Sequence, residues 1–121
     1  MAARVWFYDS IEIRPPADKE KITALNEKCA PWSINAAGDE IFLPDCLFED
    51  EVTTQELTEK LQIIVDSLPN HSFIGLVTWS NEDDKLDDGY FVVEDRRARA
   101  YVLDCSYRPI EEVVECTEER K

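Results

Sequence analysis

Apolar and polar residues alternate along the first stretch of the chain, with Val5, Phe7, Ile11 and Ile13 interleaved by Trp6, Tyr8, Ser10 and Glu12. A period of two predicts a strand with one buried face. Asp9 interrupts the pattern and is read as a bulge, and Pro15-Pro16 ends it. From Ala17 to Cys29 the spacing changes: Ile22, Leu25 and Cys29 fall on one side of a helix whose other side carries Asp18, Lys19, Glu20, Lys21 and Glu27. Residues 32–50 lack a clear period, and Gly38 and Pro44 predict loops around one short strand at Glu40 to Leu43.

Thr53-Thr54-Gln55-Glu56 matches a capping box, and Leu57, Leu61, Ile64, Val65 and Leu68 follow as an apolar stripe at helical spacing, closed by Pro69-Asn70. Three segments rich in β-branched and aromatic residues come next, at Ser72 to Ser80, Gly89 to Glu94 and Arg97 to Leu103. Residues 81–88 make a long first connection between them and Asp95-Arg96 a short second one. Ile110, Val113 and Val114 suit one amphipathic helix or a fraying tail. The expected fold class is α+β: an antiparallel sheet in the order β-α-(β)-α-β-β-β, two helices packed on one face, and a short C-terminal helix or tail. Residues 1–109 form the single expected domain, followed by an acidic helix or tail over 110–121.

Four of these segments resemble a family of small uncharacterised actinobacterial and phage proteins: Ile13-Arg14-Pro15-Pro16, the helix end Ile64-Val65-Asp66, the pair Phe73 and Gly75, and the turn Arg96-Arg97-Ala98. The resemblance covers about half of the chain and implies no function.

Charge changes the picture more than any motif. The 121 residues carry 27 Asp and Glu against 13 Lys and Arg, a formal charge of -14. With 44% hydrophobic residues this acidity decorates a globular fold. It is uneven: residues 1–31 are neutral, 32–70 carry -8, and 71–109 and 110–121 carry -3 each. Such a field steers a basic partner and repels anionic lipid and nucleic acid.

The chemistry-bearing residues are sparse. His71 is the one histidine and follows a turn, where a structural role at a strand edge is expected. Gly38, Gly75 and Gly89 are too dispersed to cradle a phosphate. Cys29, Cys46, Cys105 and Cys116 contain no C-x-x-C and read as reduced thiols. Asp84 to Asp95 fails as a calcium loop, because Leu86 falls where an oxygen ligand is needed and Asp95 replaces the bidentate Glu. Arg96, Arg97 and Arg99 form a small basic cluster beside Glu94 and Asp95.

These observations lead to an expectation of a non-enzymatic, cytoplasmic binding protein with no catalytic residue, cofactor or metal. It inhibits or adapts a larger protein with a basic surface, such as a nuclease or nucleic-acid-binding protein. A phage anti-defence or immunity protein that mimics nucleic acid is the concrete form, without direct contact to nucleic acid or membrane. The candidate partner-binding residues are Glu49, Asp50, Glu51, Glu82, Asp83, Asp84, Asp87 and Asp88 for the field and Trp6 and Tyr8 for an aromatic anchor. The alternatives are an assembly module that homodimerises through the aromatic first strand, and a metal-binding protein or enzyme whose site only folding assembles.

Overall fold

The computed structural model describes residues 4–48, 53–81 and 88–102. Eight strands and two helices run in the order β1 (Arg4–Tyr8), β2 (Ile11–Arg14), α1 (Lys19–Lys28), β3 (Ser33–Ile34), β4 (Glu40–Phe42), β5 (Cys46–Phe48), α2 (Thr54–Ser67), β6 (Ser72–Asn81), β7 (Gly89–Glu94) and β8 (Arg97–Val102). The class is α+β, with a curled antiparallel sheet. The expected tail over 110–121 lies outside the described residues.

The curl arises from strands that bend without losing count. Tyr8 pairs with Thr78 and Ile11 with Gly75, so the same number of residues separates the two pairs on each strand. No residue is inserted at Asp9, and the expected bulge is instead a kink with the register kept. Asp9 makes it by adopting a positive φ of 71°, a region that Asp tolerates better than most residues. On the partner strand β6, Gly75, which pairs with Ile11, adopts φ 103°, and a side chain there would press on the Ser10 carbonyl. On the other flank β4 and β5 pair with β2 and β1 in one shared register, through Ile11 with Ile41 and Trp6 with Cys46. Leu43-Pro44-Asp45 takes the bend on that side, and the Phe7 amide donates to the Asp45 carbonyl at 2.9 Å.

The expectation of loops around one short strand over 32–50 is therefore too sparse. β3 and β5 also form there, adding two and three residues to the sheet. The sheet then runs β3, β4/β5, β2/β1, β6, β7, β8 from edge to edge.

Because the register survives the bend, side-chain alternation survives too. Phe7, Ile11 and Ile13 are buried, together with Val77, Trp79 and Phe91 from the partner strands. The helices add Ile22 and Leu25 from α1 and Leu57, Leu61 and Ile64 from α2 to this cluster. Asp18 caps α1 and Thr53 caps α2, each side chain accepting from the backbone amide three residues on. Trp32 is fully buried at the edge of Phe91, with ring centroids 5.4 Å apart, and its indole N–H donates to the Leu57 carbonyl at 2.8 Å.

Two polar side chains tie the β7–β8 turn to α2. Gln62 donates from Nε2 to the Arg96 carbonyl at 3.0 Å and accepts from the Ala98 amide at 2.8 Å. Arg96 answers in the opposite direction, its guanidinium donating to the carbonyls of Val65 at 2.6 Å, Leu68 at 3.0 Å and His71 at 2.9 Å. A helix end leaves carbonyls without partners, and a cation placed there meets both the hydrogen-bonding and the dipole requirement. Asp95 and Arg96 both sit at positive φ, as a two-residue hairpin turn of this hand requires.

Two substitutions test this construction by urea denaturation. Arg96→Lys is expected to cost about 1–2 kcal/mol, because an ammonium cannot reach three carbonyls from one planar fork. Gly89→Ala is expected to cost about 1–3 kcal/mol, since a Cβ at Gly89 would run into the Tyr101 carbonyl and the Trp79 ring.

Candidate functional site

Strand alternation assigns a second set of side chains to the side of the sheet away from the main cluster. On β1 these are Arg4, Trp6 and Tyr8, with Phe7 pointing the other way. The pairings carry the set across the sheet: Tyr8 stands beside Thr78, Thr78 beside Tyr90, and Tyr90 beside Tyr101. Trp6 is flanked by Ser80 and Cys46, while Leu76, Val92 and Arg99 form the next row toward the β7–β8 turn. Tyr8 is 52% exposed and Trp6 is half-buried, whereas Trp32 and Trp79 are buried in the core. Tyr90 and Tyr101 pack on each other with ring centroids 5.3 Å apart, and the Tyr101 hydroxyl donates to Glu94 at 2.7 Å.

The candidate acidic residues fall mostly outside the described part of the chain. Glu49, Asp50, Glu51, Glu82, Asp83, Asp84 and Asp87 lie outside the described residues, and Asp88 is half-buried at the start of β7. Their anchor points are nevertheless described. Phe48, the last residue of β5, pairs with Arg4; Asn81, the last of β6, pairs with Val5; and Gly89, the first of β7, pairs with Trp79. Both acidic segments are therefore attached at the same end of the sheet, the end where β1 begins. The sequence places eight carboxylates and Lys85 between these anchors.

The basic cluster is divided by the hairpin. Arg96 turns to the α2 carbonyls and stacks over Phe73 at 5.8 Å, while Arg97 and Arg99 project from β8 on the outward side, Arg99 3.5 Å from Glu94. His71 lies with Nδ1 2.6 Å from the Pro15 carbonyl. Among the described residues, no group of three or more His, Cys, Asp and Glu side chains converges as metal ligands would.

Of the cysteines, Cys29 is fully buried and Cys46 half-buried, and both are free thiols. Burial pushes the Cys29 thiol above its ordinary value of 9.0, against the smaller opposing effect of Lys28 and Lys60. A nucleophilic cysteine needs the reverse shift. No helix among the described residues is long and apolar enough to cross a membrane.

Gln62 and Arg96 are the functional-looking polar residues that periodicity did not single out, since both occupy positions that read as solvated. Tyr90 and Tyr101 had a signal available: each alternates with a core residue, Phe91 or Ala100, in a predicted strand. Compared with family models, curated proteins and solved structures, the chain finds no match.

The two sides of β1 predict opposite responses at adjacent positions. Phe7→Ala is expected to cost about 3–5 kcal/mol in urea melts, and Tyr8→Ser to stay within about 0.5 kcal/mol of the parent. The Cys29 shift predicts a pH dependence as well. Unfolded, this thiol ionises near its ordinary value, while folded it stays protonated to higher pH, so the stability it confers is complete below that value and is lost as pH rises beyond it. Stability measured across the alkaline range should fall less steeply for Cys29→Ala than for the parent.

Proposed function

We propose that this chain is a non-enzymatic binding protein that docks an acidic, aromatic-edged sheet end against a basic groove on a larger protein. The single observation that carries this reading is topological: the anchors of residues 49–52 and 82–87 meet at the end of the sheet where Arg4 and Val5 begin β1, next to the outward-facing Trp6. Carboxylates that the sequence places between these anchors, with an aromatic on the adjoining strand, supply long-range steering together with a desolvated anchor. Spaced carboxylates also match the charge pattern that a phosphate-binding groove is built to take, which favours a nuclease or nucleic-acid-binding protein as the partner.

In this reading the roles are divided. Glu49, Asp50, Glu51, Glu82, Asp83, Asp84, Asp87 and Asp88 accelerate encounter and set salt dependence, while Trp6 and Tyr8 slow dissociation. The phage anti-defence or immunity form is the version in which occupation of the groove inhibits the partner.

Capture from the native lysate, with washes of rising salt, tests the proposal. The expected result is a basic nucleic-acid-binding protein that is released by high salt and by competing duplex DNA. Neutralising Asp83, Asp84, Asp87 and Asp88 to Asn should slow association at least tenfold at low salt, and Trp6→Ala should speed release. Recovery of nothing but this chain, at every salt concentration, would overturn the reading in favour of a homodimer formed through the aromatic strand.

A further inference from the structure

The outer strands β3 and β8 are finished differently. On β3 the Asn26 carboxamide of α1 covers the edge: its Oδ1 accepts from the Ile34 amide at 2.7 Å and its Nδ2 donates to the Ile34 carbonyl at 3.1 Å. Those are the bonds a neighbouring strand would make. On β8 the Gln62 carboxamide of α2 does the same at the turn end only, on the Arg96 carbonyl and the Ala98 amide. The Ala98 amide therefore points away from β7, and by alternation the backbone groups of Ala100 and Val102 do too. Among the described residues, nothing pairs with the Ala98 and Ala100 carbonyls or with the Ala100 and Val102 amides, and β7 is the one strand beside β8.

An edge with open backbone groups accepts an added strand unless charge, proline or a bulge prevents it. β8 has neither proline nor bulge, and its arginines restrict which strand fits. We propose that β8 pairs antiparallel with β8 of a second copy of this chain, about a two-fold axis at Ala100. The Ala100 amide of each copy then donates to the Ala100 carbonyl of the other, and the Val102 amide to the other copy's Ala98 carbonyl. The pairing stands whether or not the acidic end binds a partner. It also differs from a dimer through the first strand, because β1 is flanked by β5 and β6 and has no open edge.

Register, charge and burial select a second copy as the occupant. Centred on Ala100, the pairing sets Arg99 opposite Tyr101 and Ala98 opposite Val102. A centre at Ala98 would set Arg97 opposite Arg99, where like charges are destabilising, and would need the space that Gln62 holds. Antiparallel addition brings the Arg97 and Arg99 end of each strand beside the other copy's Val102 end. There Val102 pairs with Gly89, next to Asp88 and the carboxylates that the sequence places just before it. Opposite charges thus meet at both ends of the new pair, although each copy carries -14 overall. Val102, 40% exposed in the single chain, is covered by the second copy's Ala98, whose small side chain leaves room for it.

Sedimentation of the full chain in reductant, from micromolar to millimolar concentration, tests this together with intermolecular NOEs in a mixture of isotopically labelled and unlabelled copies. The expected result is a monomer-dimer equilibrium with a contact between the Hα of Arg99 in one copy and the Hα of Tyr101 in the other. Facing residues that exchange no hydrogen bonds bring those atoms together. Ala100→Pro should weaken the dimer about tenfold or more and leave the urea midpoint nearly unchanged, because the amide it deletes serves no bond to β7. Val102→Lys should weaken the dimer as well, by setting a lysine beside the other copy's Arg97 and Arg99. A monomer at millimolar concentration would overturn the proposal. So would a dimer that survives both substitutions, or one whose intermolecular contacts come from Trp6 and Tyr8.

Discussion

The register shared by the strands across the bend is the constraint on which the remaining architecture rests. A sheet can curl by inserting a residue into one strand, and that insertion would exchange the inward and outward sides beyond it. Here Asp9 and Gly75 absorb the curvature in their backbone angles and leave the count unchanged. Phe7 and Ile11, on opposite sides of the kink, consequently enter the same core, and Trp6 and Tyr8 remain on the other side of the sheet. The core and the outward aromatic row are two results of one geometric condition.

The β7–β8 hairpin is held to this frame by reciprocal polar contacts as well as by packing. Gln62 reaches from the helix to the turn and Arg96 reaches from the turn to the helix end, so neither element can shift without leaving amides or carbonyls unsatisfied. Trp32 makes a similar link near the start of α2, where an indole N–H inside the core finds the Leu57 carbonyl. Fixing both ends of α2 fixes the hairpin that carries Arg97, Arg99 and Tyr101, and with it the side of the sheet on which the outward residues stand.

The parts of this arrangement legible in the sequence were those with enough repeats to reveal a period. The stripe of α2, its Thr53 cap, the alternation of β7 and β8 and the turn at Asp95-Arg96 all carry that signal, and their boundaries agree closely with the structure. β3 and β5 were not legible, because two or three residues cannot display alternation and both depend on pairing with strands distant in sequence. The kink at Asp9 was visible as a break, while its register was not, since register belongs to the partner strand. Arg96 was read as part of a basic cluster; nothing local announces that it ends on helix carbonyls. Among the candidate site residues, Trp6 and Tyr8 were placed by simple alternation, and the common attachment of the two acidic segments emerged only from the sheet order.

The central strand pair also governs how the chain reaches this state. Ile13 pairs with Phe73 and Val5 with Asn81, so β1 and β2 are made well before β6, the central strand they pair with. Folding dominated by such distant pairings is slow, and an unpaired apolar strand is exposed to other chains in the interval. Under those conditions the charge of -14 serves the unfolded chain as much as the folded one, because mutual repulsion keeps nascent copies apart while the edge of β1 is still open.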